Sequence, residues 1–160
     1  MAVELTDRCE QDRPEVERFL EKHNTRIVAR DGVLVDALEH PAVLARAGGE
    51  LCGVATYVVE QEDCELLTLH TTIRHAGIGT ALLDAVRGHA VQQGCGLIRV
   101  VTTNDNLDAL RFYQRRGFGL TVLRPGAVDR SRETLKPQIP ETGAHGIRLR
   151  DELELEMELG

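Results

Sequence analysis

The sequence predicts an α/β fold on a mixed sheet, and three observations carry that reading. Short apolar runs rich in β-branched residues, such as Leu97 to Val101, are bounded by Gly, Asn and Asp. Two stretches change to helical spacing and stop at a glycine, Gly94 and Gly117. The two periods then alternate along the second half of the chain as strand, helix, strand, helix, strand, strand.

Taken in order, Ala2 to Leu5 suits a short strand. Pro14 stands where proline opens a helix, and Val16, Phe19 and Leu20 recur at helical spacing up to about His23. Ile27 to Val35 is a short apolar pattern broken by Asp31-Gly32. Ala42 to Ala47 and Leu51 to Val59 read as hairpin arms around Gly48-Gly49, and Cys64 to Thr71 as a strand entered through the acidic turn Glu60-Gln61-Glu62-Asp63. From Gly79 to Gln93, Leu82, Leu83, Val86 and Ala90 fall on one helical face. Leu107 to Arg116 is a further helix and Phe118 to Leu123 a strand. Pro125 to Gly146, with three of the five prolines, is the least regular stretch. Over Glu152 to Leu159, Glu alternates with Leu or Met, as a strand with two unlike faces requires.

A chain of 160 residues reads as one domain spanning 1–160, large enough to bury a core without a disulfide or metal staple. Nineteen basic against 26 acidic residues give a net charge of −7, and aromatics are 3% with no Trp. That balance argues against nucleic acid as a partner. Cys9, Cys52, Cys64 and Cys95 form no C-x-x-C pair, so no metal site is expected and each reads as a small apolar residue in a reducing cytosol. The acidic N-terminus has no signal-like apolar core, and no apolar run is long enough to span a bilayer. The expectation is a cytoplasmic chain with no membrane partner.

Two motifs carry chemistry. In Leu67-Thr-Leu-His-Thr-Thr-Ile-Arg-His-Ala-Gly-Ile-Gly-Thr80, a strand ends near Thr71 and a helix opens directly after Arg74, Gly77 and Gly79. A helix N-terminus offers unpaired N–H groups and a positive dipole end, and glycines let a phosphate approach the backbone. The spacing fits neither a dinucleotide fingerprint nor a P-loop, and a ligand-free turn is equally open. The second motif is Asn106-Leu-Asp-Ala109-Leu-Arg-Phe-Tyr113-Gln-Arg-Arg-Gly117-Phe118. Asn106 and Tyr113 share a helix face, about 10 Å apart along the axis. The alternative is that Asn106 or Asp105 caps the helix and Tyr113 is core.

Together these motifs resemble the signatures of the GNAT superfamily of acyl-CoA-dependent N-acetyltransferases. Arg74, Gly77 and Gly79 match the first signature; Asn106, Ala109, Tyr113, Gly117 and Phe118 match the second without a gap. The resemblance covers nearly the whole chain and implies a mostly antiparallel central sheet flanked by helices. It further implies that Leu67, Thr68 and Leu69 pair with the pantetheine arm of acetyl-CoA like an added strand. Arg74, His75, Ala76, Gly77, Ile78, Gly79 and Thr80 would hold the pyrophosphate. Asn106 would bond the pantetheine region, and Tyr113 would donate a proton to the leaving thiolate. The implied reaction is direct attack by an amine acceptor on the acetyl thioester.

The sequence departs from the family pattern in three places. The loop centre is His75-Ala76 rather than basic, Thr71 stands where many members have proline, and Val101 stands where some carry a glutamate base. A base must then come from elsewhere. Asp63 and Glu65 are the candidates, because two-residue alternation puts them on the side of Leu67 and Leu69; a solvated acidic turn is the alternative. His70, Cys64 and the arginines Arg111, Arg115 and Arg116 read as packing or surface residues. Glu152, Glu154, Glu156 and Glu158 form one strand face, either solvated or arginine-paired, or with Asp63 or Glu65 an acidic approach for a cationic amine. A non-catalytic acyl-CoA-binding module is the competing reading of the whole chain.

Overall fold

The computed structural model describes residues 2–74 and 76–160. Its architecture is the expected mixed α/β class, with a seven-stranded, mostly antiparallel sheet and flanking helices. The chain divides into two compact units. The first takes the described residues up to Val28 with Asp36–Ile98 and Leu159–Gly160; the second takes Ala29–Val35 and Arg99–Glu158.

In the first unit the strand order is β1 (Val3–Asp7), β4 (Ala42–Ala47), β5 (Glu50–Glu60), β6 (Asp63–Thr71). The β4–β5 hairpin turns through Gly48 and Gly49, whose φ angles of 58° and 83° suit residues without a Cβ. One face of β4 and β5 packs on helix α1 (Arg13–Lys22), where Val16, Phe19 and Leu20 join Leu38, Leu44 and Val54 in a single cluster. The other face packs on helix α2 (Ile78–Gln92). There Gly53 admits the helix, since a Cβ would lie 2.9 Å from Leu82 Cδ1 and 3.2 Å from Ile78 Cγ2. The apolar face expected of α2 is the one buried: Leu82, Leu83, Val86 and Ala90 are all at or below 1% exposure.

The second unit contains β7 (Leu97–Thr103) from Arg99 onward, then β9 (Glu152–Glu158) and β8 (Gly119–Arg124) in strand order, with helices α3 (Leu107–Arg115) and α4 (Ala127–Thr134). The Ile27-to-Val35 pattern is a hairpin, β2 (Ile27–Arg30) and β3 (Val33–Asp36), turning at Asp31-Gly32. Helix α4 falls inside the stretch expected to be irregular. Its own sequence gives little support, since Ala127 and Val128 are its only apolar residues. It is held from outside: Gly126 N–H donates to Asp151 Oδ1 at 2.8 Å, and Arg132 donates to the carbonyls of Ile139, Pro140 and Leu149.

The terminal strand also departs from expectation. Glu152 is buried, accepting from Arg124 Nε at 3.0 Å and from the Asp31 N–H at 3.0 Å. Glu154 lies 3.9 Å from both Arg99 and Arg124, and burial pushes its carboxyl up. The first half of the acidic row is therefore arginine-covered, by residues other than Arg148 and Arg150, which pair with Asp129 and Asp151.

His70 gives the first unit a pH dependence. It stacks on His23 at 4.7 Å and shares a 2.8 Å hydrogen bond with Thr25 Oγ1. Burial, then the nearby His23, pushes its pKa down to about 4. The unfolded chain, with an ordinary pKa near ~6.5, then binds more protons than the folded one between those values. Stability is full above the unfolded pKa and falls as pH drops toward the folded one. Urea unfolding at pH 7.5 and pH 5 is expected to differ by roughly 2 kcal/mol from this group, and His70→Asn is expected to flatten the difference.

Candidate functional site

The approach to α2 is set by backbone geometry. After β6 ends at Thr71, the chain reaches Gly77, which has φ 74° and ψ 8°, the left-handed region that residues with a Cβ seldom adopt. Gly77 is the residue before α2, and its carbonyl accepts from the Ala81 N–H at 3.0 Å. Ile78 is 3% exposed and packs near Gly53, which fixes the first turn to the sheet. An α-helix supplies no i−4 carbonyl for its first N–H groups, so those of Ile78 and Gly79 gain no intrahelical partner. Helices α1, α3 and α4 each carry an acid in the first turn, Glu15, Asp108 and Asp129, whereas α2 carries none. In a chain of net charge −7, this helix start keeps its positive potential. Arg74 and Ala76 are exposed beside it; His75 lies outside the described residues.

The strand that leads there contains a break in register. Thr56 pairs with Thr68 but Tyr57 pairs with Leu66, so Leu67 is an extra residue without a partner in β5. Opposed residues in an antiparallel pair share a face. Asp63 and Glu65, opposite Glu60 and Val58, therefore lie on the face of Thr68 and His70, which is the α1 side. Leu69 lies on the opposite face. This corrects the expectation from simple alternation: the bulge at Leu67 reverses parity between the acids and Leu69. Glu65 is only 4% exposed, and Thr68 Oγ1 is bonded to Thr56 Oγ1 at 2.6 Å.

On α3, Asn106 is the cap. Its Oδ1 accepts from the Ala109 N–H at 3.1 Å, leaving the side-chain amide as a donor on an exposed residue. Tyr113, two turns on, is 7% exposed and meets Phe112 and Phe118 edge-on at 5.2 and 5.3 Å. Burial holds its phenol well above the usual tyrosine range, with Arg116 opposing weakly. The hydroxyl is thus a permanent donor across the neutral range.

Sequence reasoning missed the residues that hold the start of α3. Asn104 Oδ1 accepts from the Arg150 and Asp151 N–H groups, and its Nδ2 donates to the Arg148 carbonyl at 2.9 Å. Asp105, weighed from sequence only as a cap, is buried and accepts from Thr103 Oγ1 and from the Ala144 N–H at 2.9 Å. The available signal was the run Asn104-Asp105-Asn106 directly after a strand, three side chains suited to bonding backbone. The first unit therefore contains the Leu67–Leu69 strand and the start of α2 from Gly77 to Thr80, and the second contains Asn106 and Tyr113. Among the described residues no three His, Cys, Asp or Glu side chains cluster as metal ligands, and no helix is long and apolar enough to cross a membrane.

Residues 3–118 match the family model of the acetyltransferase (GNAT) family. The chain is 36% identical to the uncharacterized protein YxbD of Bacillus subtilis (strain 168) over 154 residues, 94% of this chain and 96% of YxbD. It is 45% identical to the uncharacterized protein YdhI of the same organism over 105 residues, 66% of this chain and 65% of YdhI. In fold it is similar to a GNAT family acetyltransferase from Elizabethkingia anophelis with acetyl-CoA bound, with a TM-score of 0.68 and 20% identity over 98% of each chain.

The Asp105 clasp generates a stability test. Gly143 has extended backbone, so its glycine is a matter of space: a Cβ there would overlap the Asp105 carboxylate. Gly143→Ala is expected to cost about 1–3 kcal/mol in urea unfolding. In an Asp105→Ala background the same substitution should cost far less, a coupling that a double-mutant cycle reads directly.

Proposed function

The chain belongs to the GNAT acetyltransferase family, and on that footing we propose that it is an acetyl-CoA-dependent N-acetyltransferase acting on an amine. The observation that carries this reading is the acid-free start of α2 behind a left-handed Gly77. That surface fits a pyrophosphate through the backbone donors of Ile78 and Gly79, with Arg74 as the flanking cation. The main chain of Leu67 and Leu69 would lie along the pantetheine arm, and the Asn106 amide would donate to it. Acetyl-CoA, when bound, supplies the activated acetyl thioester.

The chain's own residues then have two tasks. A protonated amine has a pKa near ~10 and must lose a proton before it attacks. Asp63 and Glu65 are proposed for that task, Asp63 being the more accessible of the two. Tyr113 keeps its proton at working pH and acts as a hydrogen-bond donor to the departing sulfur. A free thiol has a pKa of about 8.5, below that of a buried phenol, so the donor stabilises the developing charge without giving up its proton early.

The competing reading, an acyl-CoA-binding module without turnover, is favoured by one observation: the β6 acids lie on the α1 face, away from Leu69. Thiol release separates the two. CoA binding with no release of thiol across a broad amine panel is expected of the module alone.

Two substitutions test the catalytic reading. Gly79→Asp places an acid in the first turn of α2, where it stabilises the helix but opposes an anion. The melting temperature should hold or rise while the Kd for acetyl-CoA rises at least ~10-fold. Tyr113→Phe should lower kcat about 100-fold or more and leave acetyl-CoA affinity near that of the parent. Parent-like turnover in this variant would reduce Tyr113 to a packing residue.

A further inference from the structure

The second unit contains a pocket of about 260 Å³ that shares no residue with the proposed acetyl-CoA contacts. Asp31, Arg124, Arg130, Ser131, Thr134 and Glu152 line it. The volume lies just below the range usual for drug-sized ligands, which suits a small metabolite.

The charges around this pocket are unequally satisfied. Glu152 is 3% exposed and already accepts from Arg124 Nε and from the Asp31 N–H. Arg124 is not similarly complete, because its Nη2 is buried without a hydrogen-bond partner among the described residues. Arg130 is exposed and donates from Nη1 to the Pro125 carbonyl, a neutral acceptor that leaves its charge uncompensated there. Asp31 is two-thirds exposed and stands 3.7 Å from Arg124 Nε. A simple anion entering here meets Asp31 and Glu152, and a simple cation meets Arg124 and Arg130. A ligand that carries both charges on neighbouring atoms answers both pairs.

We propose that this pocket binds a free amino acid as its zwitterion, with the carboxylate on Arg130 and Arg124 and the ammonium on Asp31. The proposal stands apart from the acetyl-transfer reading, because binding is measured with no acetyl-CoA present.

Calorimetry on the full chain with a panel of free amino acids tests it, each compared with its decarboxylated amine and its deaminated acid. At least one amino acid should bind, with a Kd at least ~10-fold below those of its two singly charged analogues, the increment expected of one charge-assisted hydrogen bond. Arg130→Ala and Asp31→Asn should each weaken that binding ~10-fold or more. Both residues are exposed, and asparagine tolerates the φ of 51° at position 31, so neither change should disturb folding. Melting curves of the two variants check that directly. Thr134→Phe, at an exposed lining position, should block the pocket by bulk alone. The proposal is overturned if no amino acid in the panel binds. It is equally overturned by singly charged analogues that bind as well, or by binding that persists unchanged in the folded Arg130→Ala and Asp31→Asn variants.

Discussion

A single unpaired residue in β6 controls what the first unit presents. Leu67 has no partner on β5, and the strand's two faces exchange across it. Up to Leu66 the residues alternate in one phase; from Thr68 onward they alternate in the other. The acids Asp63 and Glu65 consequently share a face with Thr68 and His70, packed toward α1, while Leu66 and Leu69 serve the α2 side. Had the strand run regularly, the acids would have shared a side with Leu69 and the histidine stack with His23 would have been lost.

Charge is managed by position rather than by total. The chain carries a net −7, yet several acids are drawn into arginine pairs: Glu152 and Glu154 on Arg124 and Arg99, Asp12 on Arg46, Glu17 on Arg26. Against that background the start of α2 stands out by omission, since every other α-helix opens with a carboxylate in its first turn. An acid there would add to helix stability. Its absence from α2 leaves the dipole uncompensated where the backbone is most approachable.

Most elements were legible because periodicity and punctuation agreed. Helix α2 has four apolar residues on one face between Gly77 and Gly94, and the β4–β5 hairpin has Gly48-Gly49 at its turn; both formed within one or two residues of expectation. Three things were not legible. The bulge at Leu67 has no local sequence mark, because it arises from the register of β5 against β6. Helix α4 has two apolar residues and is defined by Asp151, Arg150 and the reach of Arg132, all distant in sequence. Burial of Glu152 depends on Arg124 opposite it and on the Asp31 N–H, and alternation alone places every Glu of that strand outward. Within the site, the helix start and Tyr113 were visible as motifs, whereas the clasp of Asn104 and Asp105 on the 142–151 segment required the fold.

The bond from the Asp31 N–H to Glu152 joins residues 121 positions apart. On a ribosome this places the β2–β3 hairpin in an unusual position. It is synthesised well before its partners at Arg124 and Glu152. Much of the first unit, with its local hairpins and helices, has its contacts in hand long before then. Until then the hairpin is held only at its base, where Arg26 pairs with Glu17 and Asp36, and a two-stranded ribbon alone is marginal in water. Synthesis therefore imposes an order, with the β4–β5–β6 layer and α2 available first and the bond from the Asp31 turn forming only once β9 appears. Termination before residue 152 would leave the turn at Asp31 without Glu152, while the hairpin base keeps the ion pairs of Arg26 with Glu17 and Asp36.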